Sequence, residues 1–117
     1  MENRNFTRVD FSGCASIRFD DYIVWGDVNN LSLQGFYIKT SQDLPLNIPL
    51  EVTIHHSPNS SIHLHASAIH REKTGAGMKI NEFDVNSFVQ LRDVISLTCH
   101  DQMRVMNETY KVLHCIH

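Results

Sequence analysis

The sequence predicts a mainly β domain, a small barrel or sandwich of about six strands followed by helices. Three observations carry this. Several short runs between Ser12 and Ile80 alternate apolar and polar residues with a period of two. Clusters of Gly, Pro, Asn, Asp and Ser separate those runs at fairly even intervals. After Phe83 the apolar residues recur at helical spacing instead.

Taken in order, residues 1–10 are polar and without period, and read as an arm. Ser12 to Phe19 alternates Cys14, Ser16 and Arg18 against Ala15, Ile17 and Phe19. Asp20-Asp21 forms a turn, and Tyr22-Ile23-Val24-Trp25 opens a second strand that runs toward Asn30. Gln34 to Thr40 sets Phe36 and Ile38 against Tyr37 and Lys39. Pro45 and Pro49 mark a loop. Leu50, Val52 and Ile54 then alternate with Glu51, Thr53 and His55, and Ser57 to Ser61 is a hairpin loop. Ile62, Leu64, Ala66 and Ala68 face away from His63, His65 and Ser67. Gly75-Ala76-Gly77 leads into a short last strand, Met78-Lys79-Ile80.

Asp84 is the expected N-cap of a helix whose inner face carries Phe88, Leu91 and Ile95. A second helix starts near Asp101, with Met103, Met106, Tyr110 and Leu113 in a narrow stripe. That stripe either covers one end of the β structure or pairs with another subunit. The whole chain, 1–117, reads as one domain: an arm over 1–10, a β unit over 11–82 and helices over 84–117.

A formal net charge of −3 argues against a general DNA- or RNA-binding protein, which carries a basic face. It leaves room for one anionic ligand held by a few arginines, and the first 18 residues are locally positive through Arg4, Arg8 and Arg18. Cys14, Cys99 and Cys115 form an odd set without CxxC spacing, as expected of reduced thiols. With neither a signal-type apolar segment nor a membrane-spanning run, the expectation is a cytoplasmic protein that does not engage the membrane.

Two motifs then stand out. Arg4-Asn5-Phe6-Thr7-Arg8 places two arginines at a spacing of four near the start, and Asn30-Leu31-Ser32-Leu33-Gln34-Gly35 lies in a turn between two strand-like runs. Each is weak alone. In this order, backed by the strand succession and the glycine-led segment Gly75–Ile80, they resemble the two halves of the ligand site of the PilZ domain family. The resemblance covers residues 3–98. It implies a six-stranded antiparallel β-barrel with one or more C-terminal helices, and a receptor for the second messenger cyclic di-GMP that is not an enzyme. Motility, biofilm formation and exopolysaccharide production are the processes it implies. Arg4 and Arg8 match the arginine pair of the family motif; Asn30, Ser32 and Gly35 match its (Asp/Asn)-x-Ser-x-x-Gly turn. Gln34 stands where many members have a second glycine. The early position of Arg4 suggests a stand-alone domain acting through an unidentified protein effector, with a homodimer also expected as an option.

The chemistry suits that ligand. Each guanine offers O6 and N7 acceptors on one edge, which an arginine fork bonds bidentately, and the flat guanidinium also stacks on a base or bonds a phosphate. The Asn30 carbonyl accepts from guanine N–H groups, Ser32 falls on the same face in an extended backbone, and Gly35 permits φ > 0 or a close approach of the ligand. No cofactor or metal is expected. The rivals are an interaction module that works through its C-terminal helices without nucleotide, and a metal protein built on His55, His56, His63, His65 and His70. No hydrolase, metalloprotease or phosphate-loop motif is present. Trp25 is either core or ligand-adjacent.

Overall fold

The computed structural model describes residues 6–117. Six antiparallel strands close into a barrel: β1 (Val9–Phe19), β2 (Tyr22–Leu31), β3 (Gly35–Lys39), β4 (Leu50–Ser57), β5 (Ser60–Glu72) and β6 (Gly75–Phe83). Their order around the barrel is β1-β2-β3-β6-β5-β4, and β4 pairs back onto β1. The strand pattern left barrel and sandwich open and the family resemblance implied the barrel; the pairing of β1 with β4 bears the barrel out.

Period-two alternation builds the interior. Ala15 and Ile17, Val24 and Val28, Phe36 and Ile38, Val52 and Ile54, Ile62 and Leu64, and Met78 and Ile80 are all buried, one pair from each strand. Burying one such branched or aromatic side chain contributes roughly 1.5–3 kcal/mol. Three hairpins have short, polar loops. Phe19 pairs with Tyr22 across Asp20-Asp21, where Asp20 takes a left-handed φ of 53° that an aspartate tolerates. Ser57 pairs with Ser60, and Glu72 with Gly75. Only residues 40–49 cross between non-adjacent strands. There Leu44 is buried, and the Asn47 amide donates to the Ala68 carbonyl at 2.8 Å.

Helix α1 (Val85–Thr98) turns Phe88, Leu91 and Ile95 inward, and Phe88 meets Phe83 with ring centroids 5.3 Å apart. The Ser87 hydroxyl accepts from the His63 amide at 3.0 Å, tying the helix to β5. Helix α2 (Gln102–Lys111) follows, capped by Asp101, which accepts from the Arg104 amide at 3.1 Å. A 3-10 turn, Leu113–Cys115, returns the chain to β6, where Phe83 and Ile116 form a parallel bridge.

Two boundaries differ from the sequence reading. β1 starts at Val9, so the arm does not extend to residue 10. Phe6 and Val9 are buried, and Phe6 packs beneath Lys111 of α2, whose ammonium lies 5.9 Å from the ring centroid. The stripe of α2 is also placed differently. Met103, Met106, Tyr110 and Leu113 are half or more exposed, and the helix buries Val105 and Glu108, with Val112 just beyond its end. The stripe therefore does not cover the barrel.

The Asp84 carboxylate accepts from the Ser87 amide at 2.7 Å, and this bond holds its pKa below the ordinary aspartate value. A depressed folded pKa means the cap is fully stabilising above the unfolded aspartate pKa of about 3.9. Its contribution is lost as pH falls through the lower folded value. Asp84→Ala is expected to lower the unfolding free energy by about 1 kcal/mol at neutral pH. Urea titrations repeated toward acid should show the gap to the wild type closing below that window.

Candidate functional site

The β1–β2 hairpin brings the two motifs together. Its register pairs Val9 with Leu31 and Asp10 with Asn30, so the residue before β1 lies beside the end of β2. Arg8, exposed, donates from Nη1 to the Asn30 side-chain oxygen at 3.1 Å. Arg4 lies outside the described residues. Of the two predicted halves, the structure therefore joins Arg8 to Asn30 directly.

The turn from Asn30 to Gly35 is built from within. The Ser32 amide donates to the Gly35 carbonyl at 2.9 Å, and the Ser32 hydroxyl donates to the same oxygen at 3.0 Å. That hydroxyl also accepts from the amides of Gln34 at 3.2 Å and Gly35 at 3.0 Å. Ser32 is 3% exposed and Leu33 is fully buried. The expectation that Ser32 shares a ligand-facing surface with Asn30 is thereby corrected. β2 carries a bulge between Val28 and Asn30 and ends at Leu31, so the extended alternation stops before Ser32 and its side chain folds inward. The Ser32 hydroxyl satisfies polar groups of the turn itself.

Gly35 also differs in its reason. No glycine among the described residues has a positive φ. A Cβ at Gly35 would instead collide with the Met78 carbonyl oxygen of β6. The glycine lets β3 come close to β6, where the Gln34 carbonyl accepts from the Ile80 amide at 2.8 Å. Further along the outer barrel wall, Ser12, Gly13, Asp27, Asn29 and Lys39 line a shallow depression.

Sequence reading missed one set of residues at the site. The Thr7 amide donates to Glu108 Oε1 at 2.9 Å and its hydroxyl to Oε2 at 2.7 Å. Arg104 Nε also donates to Oε2, at 3.3 Å. Glu108 is 2% exposed. It stands 101 residues from Thr7, and the local pattern offers only the Arg104–Glu108 spacing of four, which usually marks a solvated pair.

The five histidines between 55 and 70 do not converge on one point. His55 contacts the Ser16 hydroxyl at 3.3 Å and stacks on Trp25, which is 57% exposed and so not core. His63 bonds Thr53 and Ser61, His65 faces Glu82, and His70 pairs with Glu72. Among the described residues no group of three or more His, Cys, Asp or Glu is arranged to hold a metal ion.

A family model described as PilZ domain matches residues 2–97. No curated protein matches in sequence. Among solved structures, YcgR from Escherichia coli in complex with c-di-GMP aligns with a TM-score of 0.67 at 16% identity, over 95% of this chain and 51% of that one. The inhibitor of motility MotI/DgrA of Bacillus subtilis gives 0.65 at 13% identity, over 88% and 52%. The isolated PilZ domain of Escherichia coli YcgR with c-di-GMP gives 0.67 at 13% identity, over 94% and 98%. This chain thus spans about half the length of the YcgR and MotI/DgrA chains. At these identities the likeness is one of fold.

The turn's geometry has a direct consequence. Ser32→Ala removes the acceptor of the buried Gly35 amide and the part-buried Gln34 amide and is expected to cost roughly 1–3 kcal/mol of stability. Gly35→Ala forces β3 from β6 and should cost a similar amount, about 1–3 kcal/mol. Asn30→Ala, at the rim, should leave the denaturation midpoint nearly unchanged; chemical denaturation of the three variants checks this ranking.

Proposed function

The chain belongs to the PilZ domain family, and on that footing we propose that it is a cyclic di-GMP receptor that passes its signal to a protein effector. One observation carries the reading: the exposed Arg8 guanidinium lies 3.1 Å from the Asn30 amide, on a turn braced by Ser32 and Gly35. A planar cationic fork beside an amide oxygen matches the two edges of guanine. The fork bonds O6 and N7 or a phosphate, and the amide oxygen accepts from ring and exocyclic N–H groups. In this reading Arg8 and Asn30 touch the ligand, Ser32 and Gly35 hold the turn, and Arg4 joins the clamp by its match to the motif. The shared fold with YcgR, whose structures hold c-di-GMP, supports the receptor reading. Such a receptor works by binding alone and needs no catalytic group or cofactor.

We place the receptor in the cytoplasm. In support, the three cysteines are all unpaired, as in reducing compartments. Among the described residues no helix is long and apolar enough to cross a membrane. The outward stripe of Met103, Met106, Tyr110 and Leu113 favours a second reading, an interaction module acting through its C-terminal helices without nucleotide.

Isothermal titration with cyclic di-GMP at micromolar protein separates the two. Binding supports the receptor, and no heat and no complex point to the interaction module. Arg8→Ala is expected to weaken binding by about tenfold to a hundredfold, the worth of a good bidentate base contact (roughly 1–3 kcal/mol). The thermal midpoint of the unliganded variant should stay at the wild-type value. A variant that unfolds instead would make the arginine structural.

A further inference from the structure

We infer that Glu108 on α2 is a positioning residue for the ligand site, acting through Thr7 to hold the arginine segment in place. This rests on the cyclic di-GMP reading above and goes beyond it by adding a residue outside the family motif, from a helix beyond the span that the family model matches.

A buried carboxylate is costly unless its oxygens are satisfied. Both oxygens of Glu108 are satisfied, and two of the three bonds come from Thr7, one from its amide and one from its hydroxyl. Thr7 lies between Phe6 and Arg8. Phe6 is buried under Lys111, and Arg8 is bonded to Asn30. The three consecutive residues are thus pinned to α2, to α2 again and to the turn. What the carboxylate adds is direction and register, the well-attested use of a buried polar group.

Each backbone residue that a ligand must order costs about 1–2 kcal/mol. Residues 6–8 are held before the ligand arrives, so that cost is removed for them and the site binds more tightly. Coupling of this kind is reciprocal: if docked α2 favours the ligand, the ligand favours docked α2 by the same factor. The second helix is thereby an element whose stability reports occupancy.

The test uses the full chain, cyclic di-GMP titration and hydrogen exchange. Thr7→Val removes the hydroxyl donor at constant shape, and Glu108→Gln keeps one acceptor. Each should weaken binding about fivefold, the worth of one net hydrogen bond. Thr7→Ser, which restores the hydroxyl, should recover the affinity. In the wild type, α2 amides should gain protection on ligand addition, and in Thr7→Val that gain should shrink. A purely structural hook would lower the melting temperature and leave the affinity of the folded protein unchanged; that result overturns the inference. So does α2 exchange indifferent to ligand. If Glu108→Gln fails to fold, Thr7→Val and its serine rescue still decide. A wild-type chain that does not bind cyclic di-GMP overturns the receptor reading itself, whereas wild-type binding with unaltered Thr7→Val affinity overturns the hook alone.

Discussion

The contact of Gly35 with β6 is the constraint on which the rest depends. Because glycine has no Cβ, β3 closes against the Met78 carbonyl, and the ladder from Gly35 to Lys79 can form. That ladder joins the β1–β2–β3 half of the barrel to the β6–β5–β4 half. The same closeness forces a tight turn between β2 and β3, with Leu33 driven into the core. A turn buried so deeply has polar groups that water cannot reach. The Ser32 hydroxyl bonds two of its amides and one of its carbonyls, so the burial is affordable in free energy only with a small hydroxyl residue there. Barrel closure and a rigid rim for Asn30 are two results of one close approach.

Rigid and adjustable parts are separated around that rim. The turn is fixed by main-chain bonds, the buried Ser32 hydroxyl and core packing. The arginine segment is held largely through side chains: Phe6 in the core, Thr7 by its amide and hydroxyl on the Glu108 carboxylate, and Arg8 on Asn30. Side-chain anchors of this sort open at lower free energy than a strand ladder. A ligand that bridges the two parts meets one surface that does not move and one that has limited freedom.

Much of this architecture was legible in the residues, and the exceptions have physical causes. Strand interiors follow period two wherever alternation is unbroken, and the aspartates at 84 and 101 mark helix starts through their side-chain chemistry. The start of β1 was hidden because a bulge between Asp10 and Gly13 interrupts alternation there. α2 carries two periodic faces about half a turn apart, Met103/Met106/Tyr110 and Val105/Glu108. The buried face was passed over because a glutamate reads as solvated. Its partner is Thr7, at the other end of the chain, and a one-dimensional pattern holds no sign of that pairing. Asn30 and Ser32 look alike in a motif, yet one faces outward and the other inward, because the strand ends between them.

Every strand of the barrel has a neighbour on both sides. A second protein therefore finds no whole strand edge to extend, only partial ones such as residues 22–26 of β2, which pair with β1 and not with β3. Most of the surface a partner can contact is made of side chains on the outer wall and on the two helices. Communication from this molecule is then mainly a matter of surface shape and chemistry.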